Sequence, residues 1–160
     1  MSKRIDYSVK MGSALIVDKD SVLKVFGVSS CVIVYLFNEN LNRAAVLHAV
    51  YPKSYDNLKA KKNPYRYVYE GLNKLIKDFY PQYGVRLKAK VIGGASLIKS
   101  YKGFIDIGKK NYECALDVLG KHNVEVVAVD IGGDRSRNIW IYYPEHKVKI
   151  EYFGGGERWI

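Results

Sequence analysis

Two apolar runs, Val32–Phe37 and Ala44–Tyr51, most constrain what this chain can become. Both are apolar or β-branched at odd and even positions alike, whereas a half-exposed strand alternates apolar with polar. Such runs predict strands covered on both faces, so the domain needs a layer above them and another below. The polar turn Asn38-Glu39-Asn40, with Leu41-Asn42-Arg43 leading into the second run, lets the two pair as neighbouring strands.

That pairing brings two reactive groups together. Cys31 closes the turn-capable stretch Gly27-Val28-Ser29-Ser30 just before the first run, and His48 lies inside the second, 17 positions later. A thiol beside an imidazole is the minimum for nucleophilic cysteine catalysis: the base makes the thiolate, and the thiolate attacks a carbonyl. Each residue alone has a plainer reading, an inert buried cysteine and a satisfied core histidine. The turn at Ser29-Ser30 adds a third element, because its backbone N–H groups can face a developing oxyanion.

The other segments fill in the layers. Ala14–Val17 and Val22–Phe26 read as short strands around the turn 18–21. Residues 51–63 read as an exposed loop suited to contacting a substrate or partner. A helix starts near Pro64 with Val68, Leu72, Leu75, Ile76 and Phe79 on one face, and Pro81 stops it. A strand over 86–92 runs into Gly93-Gly94. A second helix follows Ile107-Gly108, with Tyr112, Ala115, Leu116 and Leu119 inward and Cys114 off that stripe. A β-branched strand, Val124–Val129, leads to Gly132-Gly133, and Asn138–Tyr143 with Lys147–Tyr152 forms a closing hairpin. The order strands, helix, strand, helix, strands predicts an α/β layered sandwich, not a nucleotide-binding βαβ repeat. A length of 160 residues suits a single domain, 1–160, with a core over about 12–152 and a flexible glycine-bearing tail over 153–160.

Composition narrows the function classes. No apolar run approaches the roughly 20 residues of a membrane-spanning helix, and no signal peptide follows Met1, so a cytoplasmic protein without direct membrane insertion is expected. Cys31 and Cys114 are then expected as free thiols. His48, His122 and His146 are scattered, so neither metal nor cofactor is expected. The net charge of +10 is the one unusual total. It suits a basic face for nucleic acid or an acidic protein surface, or a lysine-rich solvated exterior. No nucleic-acid recognition motif accompanies the lysines, so nucleic acid is not the expected partner. The glycine pairs Gly93-Gly94 and Gly132-Gly133 each follow a strand, where tight turns or close backbone approach are wanted. Asp130 and Arg137 flank the second pair as a structural ion pair.

In order along the chain, Gly27-x-x-Ser30-Cys31-Val32, His48, Gly93-Gly94-Ala95, Ile107-Gly108-x-x-Asn111 and Asp130-x-Gly132-Gly133-x-x-x-Arg137 resemble the CheD family of chemoreceptor glutamine deamidases. The match runs from about Leu23 to Tyr152. The resemblance implies an α/β sandwich of mixed sheet flanked by two main helices, and a cysteine-dependent amidohydrolase. The substrate it implies is glutamine side chains on the cytoplasmic helices of methyl-accepting chemoreceptors, deamidated to glutamate through a thioester. It makes Cys31 the nucleophile and His48 its base; from the turn itself, Ser29 and Ser30 are expected as the oxyanion support. It also implies a possible second role, as a binding partner or regulator of a CheC-type phosphatase. Three positions depart from the family pattern. Val25 stands six positions before the cysteine, where a threonine usually bonds the histidine. Ser29 replaces a glycine, and Ala44-Ala45-Val46-Leu47 replaces Gly-Gly-Met-Ala. An orienting partner for His48 is then expected from a backbone carbonyl or from the hydroxyl of Ser21 or Ser29.

Overall fold

The computed structural model describes residues 3–79, 84–98 and 105–160. Five strands come first: β1 (Ile5–Ser8), β2 (Ser13–Val17), β3 (Ser21–Val28), β4 (Val32–Phe37) and β5 (Ala44–Ala49). Helix α1 (Asn57–Lys62), a 3-10 turn (Pro64–Arg66) and α2 (Val68–Phe79) follow. After β6 (Lys88–Gly93) come α3 (Ile107–Lys121), β7 (Glu125–Ile131), β8 (Arg137–Tyr143), β9 (Lys147–Tyr152) and β10 (Glu157–Trp159).

The strands form two five-stranded sheets, ordered β1-β3-β8-β9-β10 and β2-β5-β4-β6-β7. Both are mixed: β1 is parallel to β3 and β6 to β7, while the other pairs are antiparallel. The two doubly apolar runs lie at the middle of the second sheet, as their patterning requires. One parity of β4, Val32, Val34 and Leu36, packs toward α2 and α3 with Ala45 and Leu47 of β5. The other parity, Ile33, Tyr35 and Phe37, packs with Leu23, Val25, Ile139 and Ile150 of the first sheet. The layers are therefore sheet, sheet, helices. Helices α2 and α3 cover one face of the second sheet, and the cover on its other face is the first sheet.

Helix α2 buries Val68, Leu72, Leu75, Ile76 and Phe79, the predicted stripe, each side chain contributing roughly 1.5–3 kcal/mol by its removal from water. Pro81, the predicted stop, lies outside the described residues. Helix α3 buries Gly108, Asn111, Ala115, Val118 and Leu119, with Tyr112 and Leu116 only half-buried. Its inward face is thus turned from the predicted one toward small and polar residues at its start.

Three expectations change. The segment 51–63 is not all loop, since α1 forms in it with Asp56 as its cap; the Asp56 carboxylate accepts from Leu58 N at 2.9 Å and Lys59 N at 3.3 Å. The tail 153–160, expected to be flexible, carries β10, which pairs with β9, and Ile160 exchanges both backbone bonds with Val148. The first sheet also gains β1, upstream of the expected start of the core near residue 12. Among the described residues, no helix is long and apolar enough to cross a membrane.

Candidate functional site

The chain passes from the first sheet to the second between Val28 and Val32, and Cys31 lies on that crossing. A register shift between Val25 and Val28 interrupts the β3–β8 ladder before its last pair, Val28 with Arg137, and Gly27 takes φ +68° there, its N–H held by Asn138 Oδ1 at 2.9 Å. The three carbonyls that follow are all pinned. Ser29 O accepts from Ala95 N, Ser30 O from Asn111 Nδ2 and Cys31 O from Gly94 N, each at 2.8 Å. Among the described residues, the N–H groups of Ser30 and Cys31 donate to no acceptor.

Register places the histidine. His48 of β5 pairs with Ile33 of β4, and Cys31 is two residues before Ile33. Cys31 and His48 therefore face the same inter-sheet layer as diagonal neighbours, a relation that puts backbones roughly 7–8 Å apart and leaves side chains in reach. The loop after β1 wraps the histidine. Gly12 N donates to His48 O at 2.8 Å, and His48 Nδ1 lies 3.2 Å from Val9 O. A carbonyl only accepts, so Nδ1 carries the proton and Nε2 is left with a bare lone pair. Nε2 is buried and has no partner among the described residues.

Val25, at the position where the resemblance leads one to expect threonine, is buried in the same layer opposite Ile139 and offers no polar atom. Of the three replacements considered for orienting His48, the backbone carbonyl is the one present; the Ser21 hydroxyl is bonded to Lys19 O.

Burial sets the resting charges. It pushes the Cys31 thiol above its ordinary value, against the pull of its own N–H and the positive charge of Arg66. It also pushes His48 below the usual imidazole range, against the bond to Val9 O. Both groups are thus neutral near pH 7. Cys114 is a second free thiol, half-buried and directed at Pro52 O, and burial raises it to about 11.

The glycine blocks converge on the Cys31 turn. A side chain at Gly93, whose φ is +111°, would collide with Cys31 O. A Cβ on Gly94 would lie 2.7 Å from Gly108 O, and one on Gly108 2.6 Å from Gly94 O, so α3 begins in backbone contact with the 93–96 loop. Gly132 N donates to Gly93 O and Gly133 O accepts from Ser96 N, both at 2.9 Å. That second glycine pair is held in turn by the ion pair. Arg137 Nε donates to Asp130 Oδ1 at 2.7 Å, Arg137 Nη2 to Gly132 O at 2.8 Å, and Tyr152 and Arg158 complete the carboxylate. Asp130 belongs to the second sheet and its partners to the first, so the cluster staples the sheets behind the turn. Burial raises the Asp130 carboxyl, but the bonds from Tyr152, Arg137 and Arg158 outweigh it and hold the group below the carboxylate range.

Two residues to which the sequence reading gave no role stand out. Asn111 is fully buried, and its Nδ2 bonds both Ser30 O and Val50 O at 2.8 Å, tying the cysteine turn to the end of the histidine strand. Its place in an ordered block was the only signal. Asn111→Asp would set acceptors against two carbonyls; it is expected to cost about 1–3 kcal/mol or more in urea unfolding. Arg66 is the cation whose charge reaches Cys31, and it sits in a turn that the sequence pattern does not flag.

The family model for CheD chemotactic sensory transduction matches residues 50–152, a stretch that holds both glycine pairs, Asn111, Asp130 and Arg137. Curated relatives extend the likeness across Cys31 and His48. The probable chemoreceptor glutamine deamidase CheD of Thermococcus kodakarensis is 33% identical over 158 residues, 96% of either chain. Those of Archaeoglobus fulgidus and Methanococcus maripaludis strain C6 are 27% and 33% identical, covering 94% and 89% of this chain and 100% and 92% of their own. With the family model matched over more than half of the chain and relatives of 33% identity matched over nearly all of it, the chain belongs to the CheD family.

Proposed function

We propose that this protein is a cytoplasmic protein-glutamine deamidase acting on chemoreceptor helices, with Cys31 as nucleophile and His48 as base. The observation that carries the reading is the His48 ring: Nδ1 is fixed by a backbone carbonyl and Nε2 is bare on the face that Cys31 shares. His48 Nε2 takes the Cys31 thiol proton as the sulfur attacks the side-chain amide carbon. The N–H groups of Ser30 and Cys31 receive the oxyanion. The imidazolium returns its proton to the departing ammonia, which leaves a thioester on Cys31. A water, deprotonated by the same nitrogen, then releases glutamate and the free thiol. No cofactor enters these steps.

The test is mass spectrometry of a chemoreceptor cytoplasmic fragment after incubation, reading amide-to-acid conversion at individual glutamines. Equal glutamine content with protein and with buffer alone would overturn the reading. The neutral resting state of both groups favours a second one, a binding partner of a CheC-type phosphatase. It predicts a complex that survives Cys31→Ala and no amide turnover by the wild type.

A further inference from the structure

Two adjoining hollows run outward from the cysteine turn, and only the first borders it. One, of about 220 Å³, is walled by Ser29, Ser30, the 95–98 loop and residues 105–108. The other, of about 430 Å³, runs along residues 51–56 to Lys59, Tyr67 and Lys110. They share Ile105 and Ile107 as a common wall, so one surface extends from the cysteine turn to α1. Its two ends differ in chemistry. Leu97, Ile98 and Ile105 are exposed large apolar side chains at the end beside Ser29 and Ser30. The far end carries Lys53, Lys59 and Lys110, and an adjoining hollow that shares Tyr51, Lys59 and Tyr67 with it adds Lys62 and Arg66, five cations in all. Of the carboxylates there, Asp56 is spent as the cap of α1 and Glu70 on the Ser54 N–H. Among the described residues, none of the five is in an ion pair.

Helix α1 itself is hard to explain by stability. It buries no residue fully, with only Ala60 partly covered, so packing adds little, and six residues are too few to hold a helix alone. It presents Leu58 at 76% exposure beside Tyr55 at 100%. A fully exposed tyrosine on a basic rim is the composition of a contact surface and not of a core.

We propose that this continuous surface docks an amphipathic α-helix whose apolar stripe lies on Ile105 and Ile107 and whose acidic flank meets the α1 cations. The walls are helix ends and turns, and they demand an apolar stripe and a negative flank side by side on the partner, which is the pattern of such a helix. The inference rests on the deamidase reading and deepens it, because a helix lying along this path passes the Cys31 turn at Ser29 and Ser30.

Binding of a chemoreceptor cytoplasmic fragment to the full chain carrying Cys31→Ala tests it, by fluorescence anisotropy at low and high salt. Adding Lys59→Glu with Lys62→Glu is expected to weaken binding about tenfold and to flatten its salt dependence. Tyr55→Ala is expected to weaken it comparably, and Lys19→Glu, on the turn between β2 and β3, to leave it unchanged. With Cys31 present, the charge reversals are expected to raise KM and spare kcat. Circular dichroism of the reversed protein separates lost docking from lost folding. Unchanged binding by the α1 variants, with deamidation intact, overturns the surface and leaves the deamidase reading standing. Binding that depends on α1 without any deamidation does the reverse. Retention of a DNA duplex that falls with the same reversals, while fragment binding does not, assigns the surface to nucleic acid and overturns the proposal.

Discussion

His48→Gln is expected to slow deamidation by about 10²–10⁴-fold, the usual contribution of a positioned proton-transfer group, and Cys31→Ala to abolish it. The wild-type pH profile carries the finer prediction. Burial depresses His48, so the imidazole is neutral, and competent as a base, down to a pH below the ordinary value of about 6.5. The acid limb of kcat/KM is therefore expected below that value. The same depression bears on stability. The unfolded chain binds this proton more readily than the folded one, so stability is complete above the unfolded value and declines as pH falls through it. Cys31 shifts the other way, with its thiol held above the ordinary range by burial. Alkylation by iodoacetamide is then expected to be slow at pH 7 and to climb as pH rises past about 8.5. His48→Gln is expected to leave that alkylation curve nearly in place while turnover collapses. A cysteine alkylated at full rate down to mildly acid pH would instead reveal a preformed thiolate–imidazolium pair, and the base-assisted route proposed here would be wrong.

Arg137→Met is expected to destabilise the fold by about 1–3 kcal/mol, because it leaves Asp130 Oδ1 without its buried donor while Arg158 and Tyr152 keep hold of Oδ2. Arg137 and Asp130 are each about 5% exposed at the side chain, so water cannot replace the lost partner. The pair is not itself close to the reacting atoms, yet its loss reaches them. Arg137 holds Gly132 O, Gly132 N holds Gly93 O, and Gly94 N holds Cys31 O. Guanidinium denaturation at pH 7 measures the cost, and the acid side supplies a control. The depressed Asp130 gives the wild type stability that is present above about pH 3.9, the ordinary aspartate value, and lost as pH falls through its lower folded value. In Arg137→Met that acid dependence should be blunted, and the gap between the two proteins should narrow toward acid pH. Equal stability of the two at pH 7 would remove the staple from this account.

What the sequence made legible follows from what leaves a periodic trace. β4 and β5 were readable as doubly covered because both parities are apolar, and α2 because five apolar residues share one face. The sequence could say that a cover existed over the second face, but not that it was a second sheet. β1 and β10 left no trace: they are short edge strands, exposed at nearly every position, held by backbone bonds that any residue can make. α1 was hidden for a related reason, since a helix that buries no residue fully has no stripe. At the site, the nearness of Cys31 and His48 could be read from one turn and two strands. The glycines were readable as positions of close approach, but their convergence on Cys31 O depends on β6 and α3 meeting in space. Arg66 and Asn111 act across 35 and 80 positions of sequence, a separation at which single-chain patterning carries no signal.

The bond from His48 to Val9 O has a consequence for how this site can drift over generations. A threonine at position 25 would be a heritable side chain, open to loss in one codon change. A peptide carbonyl at position 9 is the same atom whatever residue stands there. Substitutions at residue 9 can therefore act on the ring only by moving the chain trace, and position 25 is released to satisfy packing alone. A saturation scan of the two positions would read this as tolerance at both for any side chain that fits the layer. The histidine's orientation is stored in the path of the backbone, where point mutation has no direct purchase.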